Sequence, residues 1–311
     1  MRVAIFGTGA VGGYYGGRLA QAGETVIFIA RGENLRVLRE KGLQVESTSG
    51  SFHLKPVHAV EEAAEVGPVD VVIVCTKTWQ LPAAFPALRQ LTGPETMVVP
   101  LLNGVEAPFQ IDEALGPGHA CGGIAKLFSA LVEPGKVVHS GGPGYIAFAE
   151  LDNRPSERTA RLLAAFQKVG VPAEIPADIQ AALWEKFMFI TAFASVGAVT
   201  RAPVGVLRSL PETRTMLEES MREIMSVGRA RGVHLVDEII PRTLAFFDAQ
   251  PAPGMASMQR DVLNGRRSEL DALTGAVVRL GKESGVPTPL HDVLFRALLP
   301  QELRARAEMN F

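Results

Sequence analysis

Residues 7–12 read Gly7-Thr8-Gly9-Ala10-Val11-Gly12, between a short apolar run, Val3-Ala-Ile-Phe6, and a stretch of small residues reaching Ala22. In a strand–turn–helix unit with this spacing, the first glycine makes a tight turn and the second lets a pyrophosphate approach the backbone. The third lets the helix pack on the strand. The helix N-terminus then offers N–H donors and a partial positive charge to the anion. The spacing alone is a weak signal, and its placement between a strand and a helix makes it a strong one. Gly7, Thr8, Gly9, Ala10, Val11 and Gly12 are therefore the candidate dinucleotide-binding residues. At the end of the next apolar run, Phe28-Ile-Ala-Arg31 carries an arginine where an NAD enzyme usually carries an acid. A guanidinium at Arg31 suits the 2′-phosphate of NADP, so NADPH is the expected cofactor, while Glu33 keeps NAD open.

Two further charged residues stand out. Lys186 lies near the start of an otherwise apolar helical segment, where an ammonium is costly unless it is paired or faces water. Two readings stand for it on spacing alone: a lysine that snorkels to the surface, and a catalytic one. Glu269, in Asn264-Gly-Arg-Arg-Ser-Glu-Leu-Asp271, is expected on the opening turn of a later helix, where its bland reading is a capping-region carboxylate on a solvated face.

The elements that must position these residues follow from hydrophobic pattern. Thr25-Val-Ile-Phe-Ile29 is a second strand, and Glu33 to Lys41 is a helix ended by Gly42. Asp70 to Cys75 and Thr96 to Pro100 are unalternated apolar runs, the pattern of parallel strands covered on both faces. Lys77 and Asn103 follow those runs, at the carboxyl ends of strands, where an open α/β sheet binds its ligand. Gly118 to Glu150 reads as further sheet, with turns at Gly141-Gly-Pro-Gly144. Beyond Pro176 the patterns become helical: Asp178 to Val199, Glu212 to Arg231, Val236 to Asp248, Ser268 to Ser284, and Leu290 to Glu308 interrupted at Pro300. The expected fold is α/β, with an N-terminal Rossmann-type parallel-sheet domain over residues 1–177 and an all-helical domain over 178–311.

Composition bounds the function classes. The 311 residues are 47% hydrophobic and 21% charged, with a net charge of −2 and both signs mixed throughout, so no basic stripe is offered to nucleic acid or anionic lipid. Small molecules are the expected partners. Cys75 and Cys121 show no CxxC spacing and read as buried apolar residues rather than a disulfide or zinc framework. Six histidines and the Met216, Met221, Met225 series have structural or surface readings, and no metal is expected. The uncharged run Phe187 to Thr200 is too short for a bilayer and reads as a helix buried within protein. No leader precedes Arg2-Val-Ala-Ile-Phe6, so a cytoplasmic location and no membrane association are expected.

Taken together, Gly7-Thr-Gly-Ala-Val-Gly12, Ile29-Ala-Arg-Gly32, Thr76-Lys77, Asn103-Gly-Val105, Trp184-Glu-Lys186, Ser257-Met258 with Asp261, and Asn264 to Asp271 resemble the ketopantoate reductase (2-dehydropantoate 2-reductase) family nearly end to end. The resemblance implies an NADPH-binding Rossmann domain and a helical domain, with substrate held in the cleft between them. It implies reduction of ketopantoate to pantoate, as in pantothenate biosynthesis. Lys186 is then the general acid, and Lys77, Asn103, Ser257 and Glu269 position cofactor or substrate, with Glu269 beside Lys186 in the catalytic pair. Analogy with such dehydrogenases also points to a homodimer.

One feature departs from the family. Asparagines usually follow the catalytic lysine at four and eight residues, on the same helix face, and here those positions are Ile190 and Ala194. Thr191 and Ser195 point roughly 100° away on an ideal helix. An apolar wall beyond Lys186 favours a more apolar 2-oxo acid as the second candidate substrate. The remaining alternatives are a β-hydroxyacid or opine-type dehydrogenase, and a non-catalytic NADP-binding sensor on the same fold.

Overall fold

The computed structural model describes residues 1–310. The chain forms two compact units: Met1–Leu102 with Glu106–Ile179, and Asn103–Val105 with Gln180 onward.

The first unit begins with β1 (Arg2–Phe6), α1 (Ala10–Gln21), β2 (Thr25–Ile29) and α2 (Gly32–Lys41). The small strands β3 (Leu43–Ser47), β4 (Phe52–Leu54) and β5 (His58–Val60) follow. Then come β6 (Val71–Val74), α3 (Leu81–Leu91), β7 (Met97–Pro100) and α4 (Ala107–Leu115). The unit closes with β8 (Cys121–Glu133), β9 (Lys136–Glu150), α5 (Glu157–Lys168) and β10 (Ala173–Glu174). Five parallel strands make one sheet in the order β5-β2-β1-β6-β7. Its strands serve two cores at once. Val3, Ile5, Phe28, Ile73 and Val99 pack with Tyr15 and Leu19 of α1, while Ala4, Ile27, Val72 and Val98 pack with Leu88 and Leu91 of α3. Burial on both faces is why these strands read as unbroken apolar runs. The crossover helices and strand order are those of a Rossmann-type domain.

A second sheet, β10-β9-β3-β4, with β8 antiparallel to β9, was legible only in outline. Gly141-Gly-Pro-Gly144, expected as turns, instead lies inside β9. The pairing with β8 shifts register between Lys126 and Phe128 opposite this stretch, and Gly142 and Gly144 have φ of +78° and +63°. The glycines absorb a bulge and do not end the strand.

The second unit holds α6 (Ile179–Thr200), α7 (Val204–Ser209), α8 (Pro211–Ala230), α9 (Ile239–Asp248), α10 (Ser257–Leu263), α11 (Thr274–Glu283) and α12 (Pro289–Ala305). α6 is long and apolar enough to cross a membrane by length and composition, and 67% of its most apolar window is buried. Two expectations are corrected. α12 is not interrupted at Pro300 but continues through it to Ala305. α11 starts at Thr274 rather than Ser268, so residues 268–273 form a separate turn, closed by Leu273 N–H and Ala272 N–H donating to the Glu269 carbonyl at 3.0 and 3.1 Å.

The helices are also tied by a buried polar cluster. His291 Nδ1 meets Glu223 Oε2 at 2.5 Å, and its Nε2 lies 3.1 Å from Ser220 Oγ. Glu223 also accepts the N–H groups of Leu290 and His291 at 2.8 and 3.0 Å, satisfying the open first turn of α12. Burial alone would raise the Glu223 carboxyl, but the bonds from His291 and from those two N–H groups outweigh it and hold it below its ordinary value of 4.5. A carboxyl whose folded pKa is lowered adds stability above its unfolded value, and that stability is lost as pH falls through the folded value. Denaturant midpoints should therefore drop as pH falls below about 4.5. Glu223→Gln should lose roughly 1–2 kcal/mol at neutral pH and fall less steeply on acidification; an acid slope as steep as that of the parent chain would refute this origin.

Candidate active site

The glycine turn is built by close approach. Gly7 adopts φ +97°, and a Cβ on it would lie 3.0 Å from the Cys75 carbonyl oxygen. A Cβ on Gly12 would sit 2.2 Å from the Gly7 oxygen and 2.8 Å from Ile5 Cγ2, so the third glycine is required by packing alone. At Gly9 nothing lies within 4 Å of a Cβ, leaving open space before the second glycine. Gly9 is the N-cap of α1, with no side-chain cap and no acid in the first turn, so amide donors there are left for an anion. The loop is held from behind. Thr8 Oγ1 donates to the Ile29 carbonyl at 3.1 Å, and Asn34 Nδ2 donates to the Thr8 carbonyl at 2.8 Å while its Oδ1 accepts the Gly135 N–H at 2.7 Å.

Arg31 is exposed at the N-cap of α2, just beyond β2, and makes no ion pair among the described residues. Glu33 is engaged elsewhere. Arg36 grips it through Nε at 2.8 Å and Nη2 at 2.5 Å, also bonds Glu40, and holds the Glu33 carboxyl below the usual range. Lys77, exposed beyond β6, has its ammonium 5.7 Å from the Trp79 ring centre, and its N–H donates to Gln80 Oε1 at 3.0 Å. Beside it Thr76 Oγ1 is buried with no hydrogen-bond partner among the described residues.

In the second unit, Lys186 sits half-buried two turns into α6, between buried Trp184 and Phe187, whose rings meet edge to face at 5.6 Å. The adjacent Glu185 is taken by Arg242, which donates to both its oxygens at 3.1 and 2.8 Å. Glu269 does not lie on a solvated face. It is 5% exposed in the 268–273 turn, and its Oε2 accepts Asn103 Nδ2 at 2.8 Å. Gly104, with φ +89°, lets the backbone come close there: a Cβ would lie 2.9 Å from the Ala272 carbonyl oxygen. Asn103 thus packs with the helices, although in sequence it follows a sheet strand. Ser257, exposed, is the first residue of α10.

The apolar stripe beyond Lys186 is shorter than the helical spacing predicts. Ile190 is half-buried, but Ala194 is 1% exposed and opens onto no surface. Thr191 and Ser195 face the core, where Ser195 Oγ lies 2.7 Å from Thr274 Oγ1.

A family profile described as Ketopantoate reductase PanE/ApbA matches residues 3–153, and one described as Ketopantoate reductase PanE/ApbA C terminal matches residues 178–302. A 2-dehydropantoate 2-reductase from Nostoc sp. is 30% identical over 305 residues, covering 96% of this chain and 94% of its own. The chain belongs to the ketopantoate reductase family. Among solved structures, a PanE/ApbA family ketopantoate reductase from Ralstonia eutropha JMP134 superposes with TM-score 0.89 at 31% identity, over 98% of this chain and 100% of that one. D-mandelate dehydrogenase, in a ternary structure with NADH and anilino(oxo)acetate, superposes with TM-score 0.87 at 26% identity, over 98% and 99% of the two chains.

As a ketopantoate reductase family member the chain is an oxidoreductase that uses a nicotinamide dinucleotide, and a small keto acid fits it as substrate. The first unit by itself fits the dinucleotide: open space at Gly9, uncapped amides at α1, and, beside Gly7 in the backbone, Thr76, whose buried hydroxyl has no hydrogen-bond partner among the described residues. Sequence reasoning missed Asn34, because its partners lie 26 and 101 residues away and nothing local marks them. It also missed the Arg36–Glu33 pair, though the three-residue helical spacing and opposite charges were a readable signal.

The two glycines should separate packing from binding. Gly12→Ala should destabilise the fold by about 1–3 kcal/mol through overpacking. Gly9→Ala should unfold like the parent chain while weakening dinucleotide binding by roughly 10-fold or more, because its methyl occupies the anion's approach. Titration of the dinucleotide into both variants, with parallel melts, checks this; a Gly9→Ala chain that binds normally would remove the pyrophosphate from that space.

Proposed function

We propose that this chain reduces ketopantoate to pantoate with NADPH, with Lys186 as the general acid. The observation that carries the reading is a half-buried ammonium on an apolar helix, in the same unit as the buried Asn103–Glu269 pair. When bound, the nicotinamide supplies the hydride to the ketone carbon. Negative charge then grows on the ketone oxygen, and the Lys186 ammonium stabilises it and donates the proton that makes the hydroxyl. Glu185, the chain neighbour of Lys186, is bonded by Arg242 through both its oxygens. Glu269, held by Asn103, either orients the ammonium or accepts a substrate hydroxyl. Lys77 adds positive potential for the substrate carboxylate, and Ser257 offers a hydroxyl at the start of α10.

NADPH is favoured over NADH by the charges at the end of β2. Arg31 presents a guanidinium suited to a 2′-phosphate, and Glu33, the acid that would accept the bonds of a ribose diol, is already held by Arg36.

A second reading, a 2-oxo acid with a bulkier apolar side chain, is supported by Ile190 where the family has an amide. The likeness to D-mandelate dehydrogenase, in a ternary structure with NADH and anilino(oxo)acetate, points the same way. Ile190 in place of an amide removes one hydrogen bond that would favour a hydroxylated acid.

Lys186→Ala should lower kcat by roughly 10²-fold or more; single-turnover reduction at the parent rate would refute its role. Arg31→Ala should raise the KM for NADPH by roughly 10-fold while leaving that for NADH nearly unchanged. Cofactor oxidation across ketopantoate, 3-methyl-2-oxobutanoate and phenylglyoxylate decides the substrate. A kcat/KM highest for ketopantoate supports the first reading, and one highest for phenylglyoxylate supports the second. Tight NADPH binding without turnover of any acid would make the chain a sensor.

A further inference from the structure

The turn that carries Glu269 has a brace of its own. Glu302 lies in the last turn of α12, yet it is 1% exposed. A carboxylate there faces the negative end of the helix dipole and is out of water, so the stability of α12 does not explain it. What it grips is the turn. Its Oε2 accepts the Ser268 N–H at 3.0 Å and the Ser268 hydroxyl at 2.5 Å, and its Oε1 accepts Arg306 Nε at 2.7 Å. Arg306 reaches on through Nη2 to Asp271 Oδ2 at 2.6 Å. The Ser268 hydroxyl in turn accepts the Leu270 N–H at 3.3 Å.

Glu302 and Arg306 therefore fasten the residue just before Glu269 and the residue two beyond it. This matters because residues 268–273 lie outside any helix, so no continuous ladder fixes the direction of the Glu269 side chain. We propose that Glu302, with Arg306, is a positioning residue for the reduction: it holds the 268–271 turn so that the Glu269 carboxylate stays on Asn103 Nδ2, and it touches no substrate itself. This rests on Glu269 taking part in the reaction, as set out above. The brace is built in a costly way, since a buried carboxylate must be fully hydrogen-bonded to be tolerated, and the bonds it takes are those that close the turn.

The test uses the intact chain with Glu302→Gln, Glu269→Gln and the double variant. Hydrogen exchange of the 268–273 amides in Glu302→Gln should quicken by roughly 10-fold or more. Its kcat should fall on the order of 10- to 100-fold, with the KM for NADPH unchanged. In the Glu269→Gln background the same substitution should cause no further loss, because it acts through that carboxylate. Additive losses in the double variant, or unchanged exchange, would overturn the proposal. Should Glu302→Gln fold poorly, Asp271→Asn, at an exposed residue, removes only the outer end of the brace; it should give the same pattern at smaller size, and normal exchange with normal kcat would overturn it. If the parent chain reduces no 2-oxo acid, the reduction itself is lost while the exchange comparison still decides whether Glu302 holds the turn.

Discussion

A carboxylate kept out of water must find partners, and in the second unit that requirement is met by the bond from Asn103 Nδ2 to Glu269 Oε2. Much else depends on this pair. Asn103 leaves the end of β7 and joins the helices, bringing Gly104 against the Ala272 carbonyl, an approach only a glycine with positive φ permits. The 268–273 turn delays the start of α11 so that Glu269 points inward, and the Glu302–Arg306 brace grips that turn on both sides. The 268–273 turn and the Asn103–Val105 segment are organised around this one acid and its amide.

The first unit rests on a different constraint, which is steric. Between the Gly7 oxygen and Gly12 there is no room for a methyl, so strand and helix meet at a distance that only glycine allows. That approach aims the uncapped start of α1 at open space before Gly9. Asn34 then holds the loop through its own amide, so the turn is shaped before any anion arrives, which lowers the ordering cost of binding.

Charge is managed by pairing acids away from the residues proposed to act. Glu33 is bonded by Arg36, and Glu185 by Arg242. Pairing at short helical spacing is a common surface feature.

Sequence alone determined the glycine turn, the parallel strands with their double-faced burial, the arginine at the end of β2, the helical second half and the family. These are local or periodic signals, written by packing against near neighbours in the chain. It placed Lys186, Asn103, Glu269, Lys77, Arg31 and Ser257 in the chain, but not in space. Tertiary structure decided that Glu269 is buried rather than solvated, that Gly141–Gly144 bends a strand instead of ending it, that α12 passes through Pro300, and that Ala194 contributes no surface. It also decided the partnerships of Asn34, Glu223 and Glu302, which join residues tens of positions apart. The physical reason is the same in each case: a hydrogen bond needs its donor and acceptor within about 3 Å, and which groups come that close is set by how distant segments pack, which no local pattern records.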